Sequence, residues 1–335
     1  MLLLDAVFIN NSGGKVLLDY LILSVENTGI EVTYLLDSRI ANDHPKIISN
    51  KVFYIKASLF NRHQFYRRQG KRFDKAFCFA NLPPTIRLKA EVMVYFHQRL
   101  FLTIPNNNGI LHKLIFTIKS GILGKLIGNA DKWIVQSNQM KTELISRFSK
   151  ISEQGVIIAP FYPPISTPLN IVRKQHSFLY VSSGAPHKNH LNLLKAFKIY
   201  FDKVQLGELH VTVGEEFELI NAIIDKMRSE GYPITNHGTI AREKLGENYS
   251  ASKFLIYPSY AESFGLGLIE AMDCGCIVIG ADLPYLHAVC DTPFVFDPNN
   301  VHAIVEAMEA ATKSKDSVSK KLSPDNVGEI INLLN

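Results

Sequence analysis

Short apolar, β-branched runs alternate with longer amphipathic stretches along almost the whole chain, and that alternation restricts the fold to parallel sheets covered by helices. In the first half the runs Ala6–Asn10, Glu31–Leu36, Lys51–Ile55, Lys75–Phe79, Val92–Phe96 and Lys132–Gln136 read as strands. In the second half Ser177–Val181, Glu208–Val213, Ile234–His237, Phe254–Tyr257 and Cys276–Ile279 do so. Between the two sets lies Pro160-Phe161-Tyr162-Pro163-Pro164-Ile165-Ser166-Thr167-Pro168, whose prolines fix φ and remove amide donors. The expectation is an α/β chain of two doubly wound units, 1–165 and 166–335, with the final helix a candidate to pack back on the first. A chain of 335 residues suits two domains, and no repeat or low-complexity segment argues otherwise.

With 47% hydrophobic and 20% charged residues, disorder is excluded. The cysteines Cys78, Cys274, Cys276 and Cys290 include no C-x-x-C pair, so neither a zinc framework nor a disulfide scaffold is expected, and a reducing cytosol fits. Met1-Leu2-Leu3-Leu4 has no preceding basic residue and is interrupted by Asp5, which argues against a secretory signal. The most apolar stretch, 110–127, is broken by three lysines, so a soluble or peripheral cytoplasmic protein is expected.

Charge is unevenly distributed. Residues 1–170 hold 21 Lys and Arg against 11 Asp and Glu, whereas the remainder holds 15 against 20. The densest cluster, Arg62, Arg67, Arg68, Lys71, Arg72 and Lys75, is interleaved with Phe65, Tyr66 and Phe73. It suits an anionic membrane surface or a phosphorylated partner, and equally a solvated helix face. No nucleic-acid motif accompanies it, so a nucleic-acid partner is not expected.

The chemistry concentrates in the second half. The strand ending at Tyr257 leads into Pro258-Ser259-Tyr260-Ala261-Glu262-Ser263-Phe264-Gly265-Leu266-Gly267-Leu268-Ile269-Glu270, and the apolar spacing after Gly265 predicts a helix. Glycines let a backbone approach a ligand closely, and free amides at a helix start attract phosphate oxygens. Glu262 before the helix and Glu270 within it are poor phosphate partners but good acceptors for vicinal hydroxyls, one for each of two sugar rings. The plainer reading is that two acids decorate a helix N-terminus.

A second element is the strand Ser177–Val181 followed by Ser182-Ser183-Gly184-Ala185-Pro186-His187-Lys188-Asn189-His190 and an amphipathic helix. It sets Lys188 at the carboxyl end of a strand, where open α/β sheets bind ligands and one ammonium can neutralise a diphosphate. His187 and His190 are weaker candidates; no further ligands supply a metal site with them.

The E-x7-E spacing of Glu262 and Glu270 within ESFGLGLIEAMDCG, with Lys188-Asn189 and Leu193-Leu194-Lys195-Ala196-Phe197 upstream, resembles the retaining glycosyltransferases of family 4. His237-Gly238-Thr239-Ile240 looks like that family's base-contacting loop, and Ala130-Asp131-Lys132-Trp133-Ile134-Val135-Gln136-Ser137 like the segment closing its N-terminal sheet. Residues 120–300 carry the likeness; in residues 1–119 it is confined to isolated points, chiefly Asn11-Ser12-Gly13-Gly14-Lys15 and Tyr95-Phe96-His97-Gln98-Arg99. The resemblance implies the GT-B architecture, two Rossmann-like domains facing across a cleft, the first binding an acceptor and the second a nucleotide-sugar donor.

It further implies metal-independent transfer with retention from a nucleoside-diphosphate sugar, without cofactor. The acceptor would be a saccharide or lipid-linked saccharide, in lipopolysaccharide, O-antigen or capsule synthesis at the inner face of the cytoplasmic membrane. Lys188, Glu262 and His97 are the candidate catalytic residues. Glu270, Ser263, Phe264, Gly265, Leu266, Gly184, Gly14 and Ile240 are candidates to hold the donor, with Glu270 on its ribose. One departure stands out: the family carries an Arg shortly before the phosphate-binding Lys, whereas Ala185 follows Gly184 here. A base from the first domain, or the amides after Gly265, would have to supply that charge. The missing Arg also keeps open a non-catalytic sugar-nucleotide-binding subunit, and another GT-B enzyme such as an epimerase is the remaining alternative. A nicotinamide dehydrogenase would need G-x-G-x-x-G after the first strand, which Asn11-Ser12-Gly13-Gly14 does not provide.

Overall fold

The computed structural model describes residues 1–103, 110–168 and 171–335. They fall into two compact units: residues 1–103, 110–163 and 324–335 form the first, and 164–168 with 171–323 form the second.

The first unit holds one parallel sheet of β1 (Leu2–Asp5), β2 (Val32–Asp37), β3 (Lys51–Ile55), β4 (Lys75–Cys78), β5 (Glu91–Phe96), β6 (Lys132–Val135) and β7 (Val156–Ile158). Its order is β3-β2-β1-β4-β5-β6-β7. The expected first strand, Ala6–Asn10, is corrected: the strand is Leu2–Asp5, and residues 6–10 form the turn after it, with Phe8 at φ 89°. β1 is a central strand buried on both faces, so its sequence shows no apolar–polar alternation, while the apolar turn imitates a strand. The helix α1 (Ser12–Glu26) then begins at once. Gly13 and Gly14 therefore lie in its first turn rather than in a loop.

The helices α2 (Leu59–Gln69), α3 (Ile110–Leu126) and α4 (Asn138–Arg147) bring Phe65, Tyr66, Leu123, Met140 and Leu144 into one core with Val92, Val94, Phe96 and Trp133 of the sheet. Each such side chain contributes roughly 1.5–3 kcal/mol on full burial. Arg62 enters this core as well. Its Nε donates to Asp5 Oδ2 at 2.7 Å, and its terminal nitrogens donate to the carbonyls of Leu82 and Pro83 at 2.7 Å. The basic cluster is thus smaller than its sequence suggests. Arg62, Phe65, Tyr66 and Phe73 are buried, and Arg67, Arg68, Lys71 and Arg72 remain exposed.

The second unit is built on β8 (Lys174–Tyr180), β9 (Glu208–Val211), β10 (Ile234–Asn236), β11 (Ser252–Tyr257), β12 (Ile277–Ala281), β13 (Cys290–Asp291), β14 (Phe294–Phe296) and β15 (Lys320–Lys321). Six of these make a parallel sheet ordered β10-β9-β8-β11-β12-β14, and β13 pairs antiparallel with β15. Around them run α5 (His190–Val204), α6 (Glu218–Ser229), α7 (Arg242–Ala251), α8 (Leu266–Asp273), α9 (Pro284–Val289) and α10 (Val301–Lys313). Sequence order reverses between β8 and β11, which is the topological switch point of this sheet.

The last helix, α11 (Val327–Leu334), groups with the first unit. Asn326 N donates to the Pro160 carbonyl at 2.9 Å, Tyr162 N to Asp325 Oδ1 at 3.2 Å, and the Tyr20 hydroxyl to Asp325 Oδ2 at 2.6 Å. The proline-rich segment is therefore not a bare tether. Phe161 and Tyr162 are buried in the first unit, and the Phe161 ring completes a cluster with Phe79 and Tyr95. Among the described residues, no helix is long and apolar enough to cross a membrane.

Candidate functional site

The loops after β8 and β11 leave neighbouring strands at the switch point, and each supplies one charged side chain. After β8 the chain passes Gly184 and makes a short turn over Pro186–Lys188, ending at Asn189 with φ 61°, a left-handed position that asparagine tolerates. The Asn189 side chain donates to the carbonyls of Pro258 and Pro298 at 3.0 and 2.9 Å, tying this turn to the β11 loop. After β11 the loop carries Glu262, Ser263 and Phe264 to Gly265, which caps α8 at φ 85° with no side-chain hydrogen bond. A Cβ at Gly184 would meet the Phe217 ring at 2.5 Å, so packing within the unit already leaves no room for a side chain there.

Lys188 Nζ and Glu262 Oε1 meet at 2.7 Å in a largely buried ion pair. Burial opposes the Glu262 charge. The Lys188 ammonium, with help from Ser259 and His187, outweighs it and holds the carboxyl below its ordinary range. Glu270, on the second turn of α8, behaves oppositely. Burial pushes its carboxyl up and prevails over Arg242, whose Nε donates to Oε1 at 3.0 Å, and over the Tyr249 hydroxyl, which donates to Oε2 at 3.2 Å.

Lys188, Glu262, Ser263, Phe264, Gly265, Leu266 and Glu270 thus share the carboxyl ends of β8 and β11 and the start of α8. Ile240 lies in the loop between β10 and α7, two residues before Arg242. His190 is buried against the Tyr180 ring, and burial lowers its pKa to about 3, so it is a neutral core imidazole. Gly14 and His97 come together in the first unit. A Cβ at Gly14 would stand 3.4 Å from His97 Nε2, and the His97 ring stacks on Phe79 at 5.0 Å between centroids. Burial lowers the His97 pKa to about 4, so its imidazole is neutral and can offer a hydrogen bond without a charge.

Sequence alone does not mark Arg242, since the charge missing beside Lys188 is expected from the basic first domain or from backbone amides. One signal was available. A basic residue at the first position of a helix opposes the helix dipole and so requires an acidic partner. Among the described residues, no group of three or more His, Cys, Asp and Glu is placed to hold a metal ion.

Residues 163–324 match the family model described as Glycosyl transferases group 1. That stretch, just under half of the chain, is similar to the family. The matched segment is the second unit almost end to end, with Lys188, Glu262, Arg242 and Glu270 inside it. The chain also resembles O-antigen chain mannosyltransferase B of Escherichia coli, 32% identical over 130 residues, which cover 38% of this chain and 34% of that protein. The chain spans about a third of the length of that relative. Sucrose-phosphate synthase from Thermosynechococcus elongatus superposes with a TM-score of 0.70 at 18% identity, over 99% of this chain and 94% of that one. HepE from Anabaena, in complex with UDP and glucose, does so with a TM-score of 0.65 at 13% identity, over 93% and 90%. These likenesses cover both units, and the fold is GT-B, with two parallel-sheet Rossmann-like units.

Proposed function

We propose that the chain is a glycosyltransferase moving a sugar from a nucleoside-diphosphate sugar to a saccharide or lipid-linked saccharide, in O-antigen, lipopolysaccharide or capsule synthesis. The observation that carries this reading is the Lys188–Glu262 pair at the switch point, beside a helix whose amides are left uncapped by Gly265. Bound donor would part the pair. Lys188 and the amides after Gly265 then receive the diphosphate, and Glu262 turns to hydroxyls of the transferred sugar. Glu270 receives the ribose, and the loop at Ile240 the base. His97 and Gly14, neutral and close-packed, approach the sugar and acceptor. The bond from the anomeric carbon to the β-phosphate oxygen breaks and one to the acceptor oxygen forms on the same face. The acceptor's proton passes to the leaving phosphate, whose charge Lys188 stabilises. The reaction needs no metal in this scheme, since cationic and amide donors meet the leaving charge.

The relative named for O-antigen mannose transfer and the fold neighbour holding UDP and glucose support this class of donor and acceptor. The decisive experiment incubates the full chain with a panel of nucleotide sugars and lipid-linked saccharides, following nucleoside diphosphate release and the anomeric configuration of the product. Acceptor-dependent release with an unchanged anomeric configuration is expected. Nucleotide binding without turnover on any acceptor would instead favour the non-catalytic subunit.

A peripheral cytoplasmic location belongs to the same proposal. On α3, Leu114, Ile115 and Ile118 are exposed while Phe116, Ser120 and Leu123 are buried, and Lys119 and Lys125 stand beside the exposed stripe. The exposed Arg67, Arg68, Lys71 and Arg72 follow on α2 and just beyond it, against the same core. An apolar stripe with adjoining cations suits an anionic lipid surface. Sedimentation with anionic but not zwitterionic vesicles is the expected result.

A further inference from the structure

Arg242 is the first residue of α7, where the dipole of the helix repels a guanidinium and no side-chain cap is present. Contacts to Glu270 and to the Pro164 carbonyl compensate. Nε donates to Glu270 Oε1 at 3.0 Å, and both terminal nitrogens reach the Pro164 carbonyl at 3.3 Å. The second contact is made possible by Gly246, one turn further along α7. A Cβ there would stand 1.9 Å from the Ser166 carbonyl oxygen, so the chain at 164–168 can run against the helix only because position 246 has no side chain. The guanidinium is thereby fixed on main chain at one side while it meets a buried carboxylate at the other. Tyr249, two turns along the same helix, donates to the other oxygen of that carboxylate at 3.2 Å. The guanidinium gathers at Oε1, with Nε and Nη2 each 3.0 Å from it, and Oε2 beyond the Tyr249 bond keeps a further lone pair for a ribose hydroxyl.

We propose that Arg242 is a positioning residue for the donor's ribose, holding the Glu270 carboxylate as an ionised acceptor for the 2′ and 3′ hydroxyls. The inference rests on the reading of Glu270 as the ribose-binding acid. A protonated carboxyl would present a donor in place of one acceptor and would receive the ribose hydroxyls less well. Burial already pushes the Glu270 carboxyl up with Arg242 in place; without the guanidinium only the Tyr249 hydrogen bond opposes that push, and no cation does. The other charged or titratable groups facing Glu270 are Tyr249, which stays protonated because burial raises its pKa well above the ordinary value, and Asp273 and Cys274 at the end of α8. None of them is a cation.

The test is calorimetric titration of the full chain with whichever of UDP, GDP and ADP binds tightest, and with its 2′,3′-dideoxy counterpart, from about pH 6 to about pH 9. Wild type should prefer the ribose form by about 10- to 100-fold, the loss expected when hydrogen bonds to a charged group go unmade. Arg242→Gln should reduce that preference below about 3-fold at the acid end and recover part of it as the pH rises. Arg242→Lys, which keeps the charge, should retain the preference throughout. Should the glutamine variant not fold, Arg242→Met is measured with the same expectation. A neutral variant that weakens both ligands equally, or that keeps the full preference at every pH, overturns the proposal. Wild type that fails to distinguish the two ligands removes the ribose assignment of Glu270 itself, and that failure is seen before any substitution is made.

Discussion

Glu262 and Glu270 are eight residues apart and each faces a cation, yet their carboxyls shift in opposite directions. Glu262 sits in a loop, and Lys188 reaches it on a flexible stem with only a hydrogen bond's worth of geometry to maintain. Glu270 sits in a helix, and its partner is a planar guanidinium fastened to main chain. The first pair is suited to separating when a ligand arrives, the second to staying closed while a ligand binds beside it. Charge alone therefore does not define the role of a buried pair. The flexibility of the cation and the burial of the acid decide it.

Substitutions can break or sharpen this contrast. The largest effect is expected at the flexible cation: Lys188→Ala should lower kcat by about 100- to 1,000-fold, the range for losing one preorganised group on developing charge. Steady-state kinetics should show the donor KM moving much less. Next, Glu270→Ala should weaken nucleoside diphosphate binding by about 10- to 100-fold in calorimetric titration. Unchanged affinity would remove the distinction between the pairs.

A smaller effect concerns stability. Glu262→Gln leaves Lys188 without its charged partner and should destabilise the chain by about 1–3 kcal/mol at neutral pH, read from denaturant unfolding. Because the folded state lowers the pKa of Glu262, its contribution is present above the ordinary carboxylate pKa and fades as the pH falls through the folded value. The smallest effect is at the other acid. The folded state raises the pKa of Glu270, so its contribution is present at acid pH and lost as the pH rises. Glu270→Gln removes a carboxylate whose charge burial opposes but also the acidic partner of Arg242, so its Tm should fall by less than that of Glu262→Gln.

Most strands were legible because each parallel strand is an apolar run between helical stretches. The misplacement of β1 has a physical cause: a central strand is buried on both faces and offers no alternation, while the apolar turn at 6–10 does look like a strand. β7 and β14 are three residues each, too short for any periodicity to show, and β10, equally short, is recognisable only as a brief run between helical stretches. In the site, Lys188, Glu262 and Glu270 were recognisable from local spacing and strand-to-helix transitions. Arg242 was not, because its partner lies 28 residues away and only tertiary packing joins α7 to α8. Arg62 misled in the reverse sense. On sequence it reads as one more surface cation, but its place one turn before Phe65 and Tyr66 on α2 puts it on the apolar face, where Asp5 receives it.

The return of residues 324–335 to the first unit makes the second an insertion rather than an appendix. The polypeptide enters it between Pro163 and Pro164 and leaves it between Ser323 and Pro324. A cassette exchange with a relative must therefore splice at both places. A single crossover in the proline-rich segment would graft a foreign tail onto the surface that Pro160, Tyr162 and Tyr20 offer to residues 325 and 326.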